Sequence, residues 1–156
     1  MDAGANYISK EKKKELEEEL QFLQSVKRKE IIEQLEHAKS LGDLSENAEY
    51  HQAREEQGKL EDKISSLTEL LRVAIVIEKH DTKSAVSVGS TVVVKKKGAQ
   101  STITYTIVGP EEADMSQNKI SNLSPLGNAL MNKKKEEDVT VNTPAGEVKY
   151  HIVSIA

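Results

Sequence analysis

Gly42-Asp43-Leu44-Ser45-Glu46-Asn47-Ala48-Glu49-Tyr50 separates two long stretches whose apolar residues recur with helical spacing. Gly42-Asp43 is a helix stop followed by a start, and the patterns on either side have nearly equal length. On the N-terminal side Ser9 is a suitable N-cap, although Lys12 stands where a capping box would carry Glu. Leu16, Leu20 and Leu23 then recur at four and three residues, Lys27 takes the next seam position, and the series resumes at Ile31, Leu35 and Ala38. The spacing from Leu20 to Ile31 is a stutter, which predicts local unwinding of the supercoil without an end to the helix. On the C-terminal side Glu46, Tyr50, Ala53, Gln57, Leu60, Ile64, Leu67, Leu71 and Ala74 alternate four and three residues, an a/d seam. Two arms of about 30 residues, roughly 45 Å each at the helical rise, joined by a short bend, predict an antiparallel coiled-coil hairpin. The apolar seam residues gather towards the base, so packing is expected to weaken towards the bend.

The bend itself is acidic, and Asp43 and Glu46 admit two readings. Asp43 can cap the second helix while Glu46 returns a hydrogen bond to the Asp43 amide, and both charges suit a helix N-terminus. Alternatively, the two carboxylates supply oxygen ligands to Mg²⁺, which keeps several waters and accepts one or two protein carboxylates beside substrate phosphates. A tip of that kind completes a site owned by another molecule. Lys39, His51 and Arg54 lie within about three helical turns of the bend, close enough to meet a phosphate backbone, or are simply solvated. Tyr50, at a seam position, suits packing.

Downstream the pattern changes. Val73 to Ile77 reads as a last buried helical turn or the start of an extended connector, and His80 to Ser87 as a linker. Thr91 to Lys97 and Thr102 to Val108 predict paired strands around Gly98, and Ile120 to Leu123 a short strand. Ser124-Pro125 offers an N-cap and a first helical residue for a short helix through about Asn132. Val139 to Asn142 and Val148 to Ile155 predict two strands around the turn Thr143-Pro144-Ala145-Gly146. The fold class is therefore α+β: a helical hairpin over residues 1–78, then a small antiparallel β-sheet domain with one short helix over residues 79–156.

Composition narrows the function. The net charge of −4 is split, with −5 on residues 9–78 and +2 on residues 79–156. This balance argues against tight nonspecific binding of duplex DNA, so nucleic-acid contact is expected to be local or assisted by a partner. There is no Cys, hence no disulfide, thiolate nucleophile or Cys-ligated zinc. His37, His51, His80 and His151 lack paired zinc spacing, and neither a Gly-x-Ser-x-Gly element nor a glycine-rich phosphate loop occurs. With no Trp and one Phe, an aromatic-lined proline pocket is not expected. Nothing in the sequence reads as a secretory signal or a membrane span, and the cytoplasm is the expected compartment. The runs Lys95-Lys96-Lys97 and Lys133-Lys134-Lys135 read as solvated edges, with docking to an acidic partner as a secondary reading.

The stretch Gly42 to His51, followed by Ala53-Arg54-Glu55 and Gln57, resembles the tip signature of the bacterial Gre transcript cleavage factors. The resemblance extends through Tyr7-Ile8-Ser9, Val26-Lys27-Arg28, Glu30-Ile31, Val108-Gly109, Glu112-Ala113-Asp114, Ile120-Ser121, Ser124-Pro125-Leu126, Ala129-Leu130 and Thr143 to Glu147, covering nearly the whole chain. It implies an FKBP-like C-terminal domain, with Ser124 and Pro125 on the docking side, that binds at the rim of the secondary channel of bacterial RNA polymerase. The coiled coil would enter that channel. It further implies that the chain is not an enzyme but stimulates the polymerase's own cleavage of backtracked RNA. In this reading Asp43 and Glu46 share the second catalytic Mg²⁺ and Lys39 and Arg54 contact the extruded RNA 3′ end. No cofactor is held tightly, no membrane is involved, and the chain acts as a monomer. The alternative within the same fold is a channel-binding inhibitor without cleavage activity, against which Asp43-Leu44-Ser45-Glu46-Asn47 argues. Departures from the family pattern are Lys29, where many relatives have Pro, and Asn132 with Glu136-Glu137-Asp138, which replace a more glycine-rich pattern.

Overall fold

A computed structural model describes residues 2–78 and 84–156. The first part of the linker expected from His80, and His80 itself, lie outside these residues. The chain forms two compact units, Lys13–Val73 and Met1–Lys12 together with Ala74–Ala156. The unit holding most of residues 79–156 thus also gathers the first residues of the chain.

The first arm of the hairpin is a helix α1 (Lys10–Phe22), a π-helical turn (Leu23–Lys27) and a helix α2 (Arg28–Ser40); the second is α3 (Ala48–Val73). The stutter takes a concrete form in the π turn: the Arg28 N–H donates to the Leu23 carbonyl, so an extra residue is absorbed while the helix runs on. This corrects the place expected for Lys27. The wider turn keeps Leu23 and Ile31 buried on the seam and leaves Lys27 exposed, where its amine lies 2.9 Å from Glu30 and 5.8 Å from the Phe22 ring centroid. Burial of a lone ammonium is thereby avoided. Leu16, Leu35, Leu60, Ile64 and Leu67 are also buried, while near the bend the buried residues are only Ala38 and Ala53. The apolar volume shrinks towards the tip, as the seam composition leads one to expect. Arg28 grips Glu61 through two 2.8 Å hydrogen bonds and Lys63 reaches Glu19 at 2.6 Å. These pairs match an antiparallel register but, lying at the surface, add little to stability.

In the other unit β1 (Tyr7–Ser9) pairs in parallel with β2 (Ile75–Ile77). The segment after α3 is therefore a strand rather than a further helical turn. A five-stranded sheet has the order β5-β4-β3-β7-β6, comprising β3 (Thr91–Lys96), β4 (Thr102–Val108), β5 (Lys119–Ser121), β6 (Asp138–Thr143) and β7 (Gly146–Ile155). The expectation of a wholly antiparallel sheet is corrected here: β5 joins β4 in parallel, with Thr106 opposite Lys119 and Ile107 opposite Ile120. Between them the chain crosses over through two 3₁₀ turns, Pro110–Glu112 and Met115–Gln117, and so returns in the same direction. A short helix α4 (Pro125–Leu130) starts as expected, with the Gly127 N–H donating to Ser124 Oγ at 3.1 Å and Pro125 in the first turn. The core draws on alternate strand residues, among them Val92, Val94, Tyr105, Ile107, Val139, Val141 and Ile152, together with Leu130, Met131 and Tyr7.

Tyr7 belongs to an N-terminal segment bound into this unit at several points. Asn122 is fully buried and its Nδ2 donates to the carbonyls of Ala3 at 3.0 Å and Ala5 at 2.9 Å. A Cβ on Gly109 would stand 1.6 Å from the Tyr7 carbonyl oxygen, so only a residue without a side chain lets β1 lie there. Ser9 caps α1 by accepting from the Lys12 N–H at 3.1 Å. The glutamate absent from the local capping box is supplied from far along the chain: Glu112 accepts from the Ser9 N–H at 3.0 Å and from Ser9 Oγ at 2.7 Å. Replacing Glu112 by Ala leaves the Ser9 amide without its acceptor and is expected to destabilise this unit by about 1 to 2 kcal/mol in a urea titration, with Glu112→Gln costing less.

At the start of β6, Asn132 and Glu136 adopt φ of 63° and 67°, the left-handed region in which glycine is at ease. Next to them His151 lies 2.7 Å from Asp138 Oδ1 and 3.2 Å from Glu136 Oε2. These hydrogen bonds, that of Asp138 foremost, raise the imidazole pKa above its ordinary value near 6.5. A raised folded-state pKa gives stability that is complete below the unfolded value and is lost as pH rises through the folded one. As pH rises past the ordinary imidazole value near 6.5, the wild-type melting temperature is expected to fall by an increment that His151→Gln does not show.

Candidate functional site

The end of the hairpin is built by short-range hydrogen bonds. Where α2 ends, Gly42 takes a φ of 138°, which L side chains rarely adopt. Asp43 Oδ1 then accepts from the Ser45 N–H at 3.0 Å and from Ser45 Oγ at 3.1 Å, an Asx turn. The Ser45 amide first, and then its hydroxyl, hold the Asp43 carboxyl below its ordinary range. Asp43 is thus a fixed, ionised acceptor on an exposed turn.

The capping box expected from Asp43 and Glu46 is not formed. The residue that starts α3 is Asn47, whose Oδ1 accepts from the Tyr50 N–H at 3.1 Å. Its Nδ2 donates to the Ala38 carbonyl at 2.6 Å, joining the start of one helix to the end of the other. Because one amide serves both ends, the helix begins after Glu46, and neither acid is used as its cap. Asn47 was readable as a strong capping residue directly before Ala48, but Asp43 offered the same chemistry nearer the glycine. His51 Nε2 lies 3.4 Å from the Ser45 carbonyl, and Tyr50 meets the His51 ring edge-on at 5.8 Å. These contacts hold the tip turn against the first turn of α3.

Asp43 and Glu46 are both exposed and line one shallow depression with Leu41, Gly42, Asn47, Ala48 and a third exposed acid, Glu49. Lys39 lies exposed on the last turn of α2. Arg54, exposed on the second turn of α3, donates from Nη1 to Gln57 Oε1 at 2.7 Å. These two cations are near the tip by position, but neither lines the acidic depression. Ser124 and Pro125 belong to the other unit, where Ser124 Oγ also donates to the Ser121 carbonyl at 2.7 Å. Among the described residues no group of three His, Cys, Asp or Glu side chains is arranged to hold a metal ion.

Residues 6–76 match the family pattern described as transcription elongation factor, N-terminal, and residues 81–156 the pattern described as transcription elongation factor, GreA/GreB, C-term. The transcription elongation factor GreA of Bacillus subtilis (strain 168) is 44% identical over 149 residues, 96% of this chain and 95% of its own. The chain belongs to the GreA/GreB family of transcription elongation factors. A GreA from Clostridium acetobutylicum is 47% identical over 143 residues, covering 91% of this chain and 90% of the relative. The crystal structure of GreA factor homolog 1 of Thermus thermophilus aligns with 97% of this chain and 99% of its own at 23% identity and a TM-score of 0.44. A GreA/GreB protein is a factor and not itself an enzyme. Among the described residues no helix is long and apolar enough to cross a membrane.

The tip geometry separates capping from acidity by mutation. Asn47→Ala is expected to fray the first turn of α3 and cost about 1 to 2 kcal/mol, whereas Asp43→Asn keeps the helical circular dichroism and melting temperature of the wild type.

Proposed function

We propose that this chain binds bacterial RNA polymerase in the cytoplasm and, as a monomer, stimulates the polymerase's intrinsic cleavage of backtracked nascent RNA. The observation that carries the reading is the division of work at the tip. Asn47 takes the capping role, so the Asp43 and Glu46 carboxylates stay exposed and unspent on the helix. Two like charges kept together at a solvent-exposed bend gain nothing from each other. A positively charged partner met elsewhere gives them a purpose.

The donor set fits Mg²⁺ in part. Asp43 and Glu46 are hard oxygen donors, and Asp43 is held ionised by Ser45, but two carboxylates make no closed cage. They suit a hydrated ion whose remaining ligands belong to the polymerase and the RNA phosphates. Asp43 and Glu46 would hold such an ion, which when bound lowers the pKa of a coordinated water and offsets charge at the scissile phosphodiester. The Ser45 hydrogen bonds orient Asp43 towards the depression, and the Asn47 bridge stiffens the turn that presents it. Lys39 and Arg54 place positive charge beside the tip, where the phosphates of the RNA 3′ end would pass.

The two parts of the chain then divide the task. The hairpin carries the acids along a narrow arm of roughly 45 Å into the secondary channel. Residues 79–156, with the N-terminal segment bound beside them, dock on the channel rim through the surface that includes Ser124 and Pro125.

The test is RNA cleavage in a stalled, backtracked bacterial elongation complex at matched polymerase occupancy. Asp43→Asn is expected to lower the cleavage rate on the order of a hundredfold with binding intact, and raised Mg²⁺ is expected to recover part of it. If the wild type binds without stimulating cleavage, the chain is a channel-binding inhibitor instead.

A further inference from the structure

The five-stranded sheet packs its core against one face only, and the opposite face carries an arrangement the acidic tip does not explain. On β3 the buried residues are Val92 and Val94, so Lys95 is on the outer face. On the neighbouring strand it stands opposite His151, which in turn stands opposite Asp138. One step along, the Lys97 N–H donates to the Lys149 carbonyl at 2.8 Å, and Lys149 pairs across with Thr140. Lys95, Lys96, Lys97 and Lys149 line one groove, floored in part by Ala99 and Thr140. All four lysines are exposed, and among the described residues none of them is in an ion pair.

Lysines gathered on adjacent strands without counter-charges repel one another and weaken the sheet. Of the acids nearby, Glu136 and Asp138, which itself lines the groove, are engaged by His151, while Glu147, beside Lys96, Lys97 and Lys149, is in no ion pair with them among the described residues. The engagement of His151 favours the cationic imidazole, whose charge the two carboxylates offset, so the positive field of the groove comes from its lysines. The charge is thus conserved for a partner from outside.

We infer that this lysine-lined groove is a second docking surface, which takes an extended acidic polypeptide segment. Of the two rings that line the groove, Tyr150 is partly buried against the core cluster and His151 is engaged at both nitrogens by Asp138 and Glu136, so neither is a free platform for stacked bases. Its cations are lysines, point charges suited to flexible carboxylates rather than to bidentate reading of phosphate or bases. The chain's net charge of −4 also opposes a polyelectrolyte of the density of nucleic acid. An acidic loop or tail on a protein meets all three conditions. The inference rests on the preceding reading only in naming RNA polymerase as the protein that bears this segment.

The full chain, the triple variant Lys95→Gln/Lys97→Gln/Lys149→Gln and the triple Lys→Arg variant at the same positions are titrated with a fluorescent decaglutamate peptide, and separately with RNA polymerase. Circular dichroism and melting establish that each is folded. The Gln variant is expected to bind both decaglutamate and polymerase about tenfold more weakly than wild type, and the Arg variant to restore binding. Asp43→Asn binds both as wild type does while failing in cleavage, which keeps the groove and the tip apart. Wild-type affinity for polymerase in the Gln variant overturns the docking surface and leaves the cleavage reading standing. If the wild type itself does not bind polymerase, the cleavage reading falls, and loss of decaglutamate binding in the Gln variant still supports the groove as an acidic-peptide site. No decaglutamate binding by wild type, or tighter binding of duplex DNA or single-stranded RNA carrying the same number of charges, overturns the acidic-peptide assignment.

Discussion

A helical hairpin must satisfy the last carbonyls of one helix and the first amides of the next within a few residues. In this chain a single carboxamide does much of both, because Asn47 has an acceptor for Tyr50 and a donor for Ala38. An aspartate in its place would have an acceptor for the amide but no donor for the carbonyl. The two small buried residues at this level, Ala38 and Ala53, go with that economy of space. With the helix capped by a neutral side chain, the acids beside it are relieved of capping α3, and Asp43 serves the turn at Ser45 instead. The proposed chemistry of the tip depends on that relief more than on the acids' spacing.

Much of this organisation was legible in the sequence. The a/d seam of α3 gave its buried face, Leu60, Ile64 and Leu67 included, because a regular heptad allows only one stripe to be buried. The stutter near Lys27 was visible, but its outcome was not. Spacing says that a residue must be accommodated, whereas whether it is absorbed by relaxed supercoiling or by a π turn depends on which side chain would otherwise be buried. At the bend, Asp43 was read as the cap, and propensity alone does not rank it against Asn47 four residues on. The contact to Ala38, which crosses from one helix to the other, decides it. That Asp43 and Glu46 lie at one bend was legible, but the grouping of Lys95 with Lys149 was not, since cross-strand register is invisible until the strands are paired.

The short strand β1 was missed for a related reason. Three residues give no periodicity, and the partners that hold them, Ile75, Gly109 and Glu112, are distant in sequence. The parallel entry of β5 was missed because two 3₁₀ turns leave no stronger mark than an ordinary loop. In both places the deciding interactions are long-range hydrogen bonds or backbone proximity, which composition and local pattern do not encode. The resemblance in Tyr7-Ile8-Ser9 and in Glu112-Ala113-Asp114 acquires a physical meaning here, since Ser9 and Glu112 form one capping unit between them.

The N-terminal segment also sets an order of events during synthesis. Residues 2–9 are made before the hairpin, yet Gly109, Glu112 and Asn122, which complete their surroundings, are made only after it. The hairpin, with its contacts close in sequence, can form on the ribosome while the leading residues wait without their partners. Closure of the second unit is therefore a late step that draws a segment made before the hairpin into a sheet made after it.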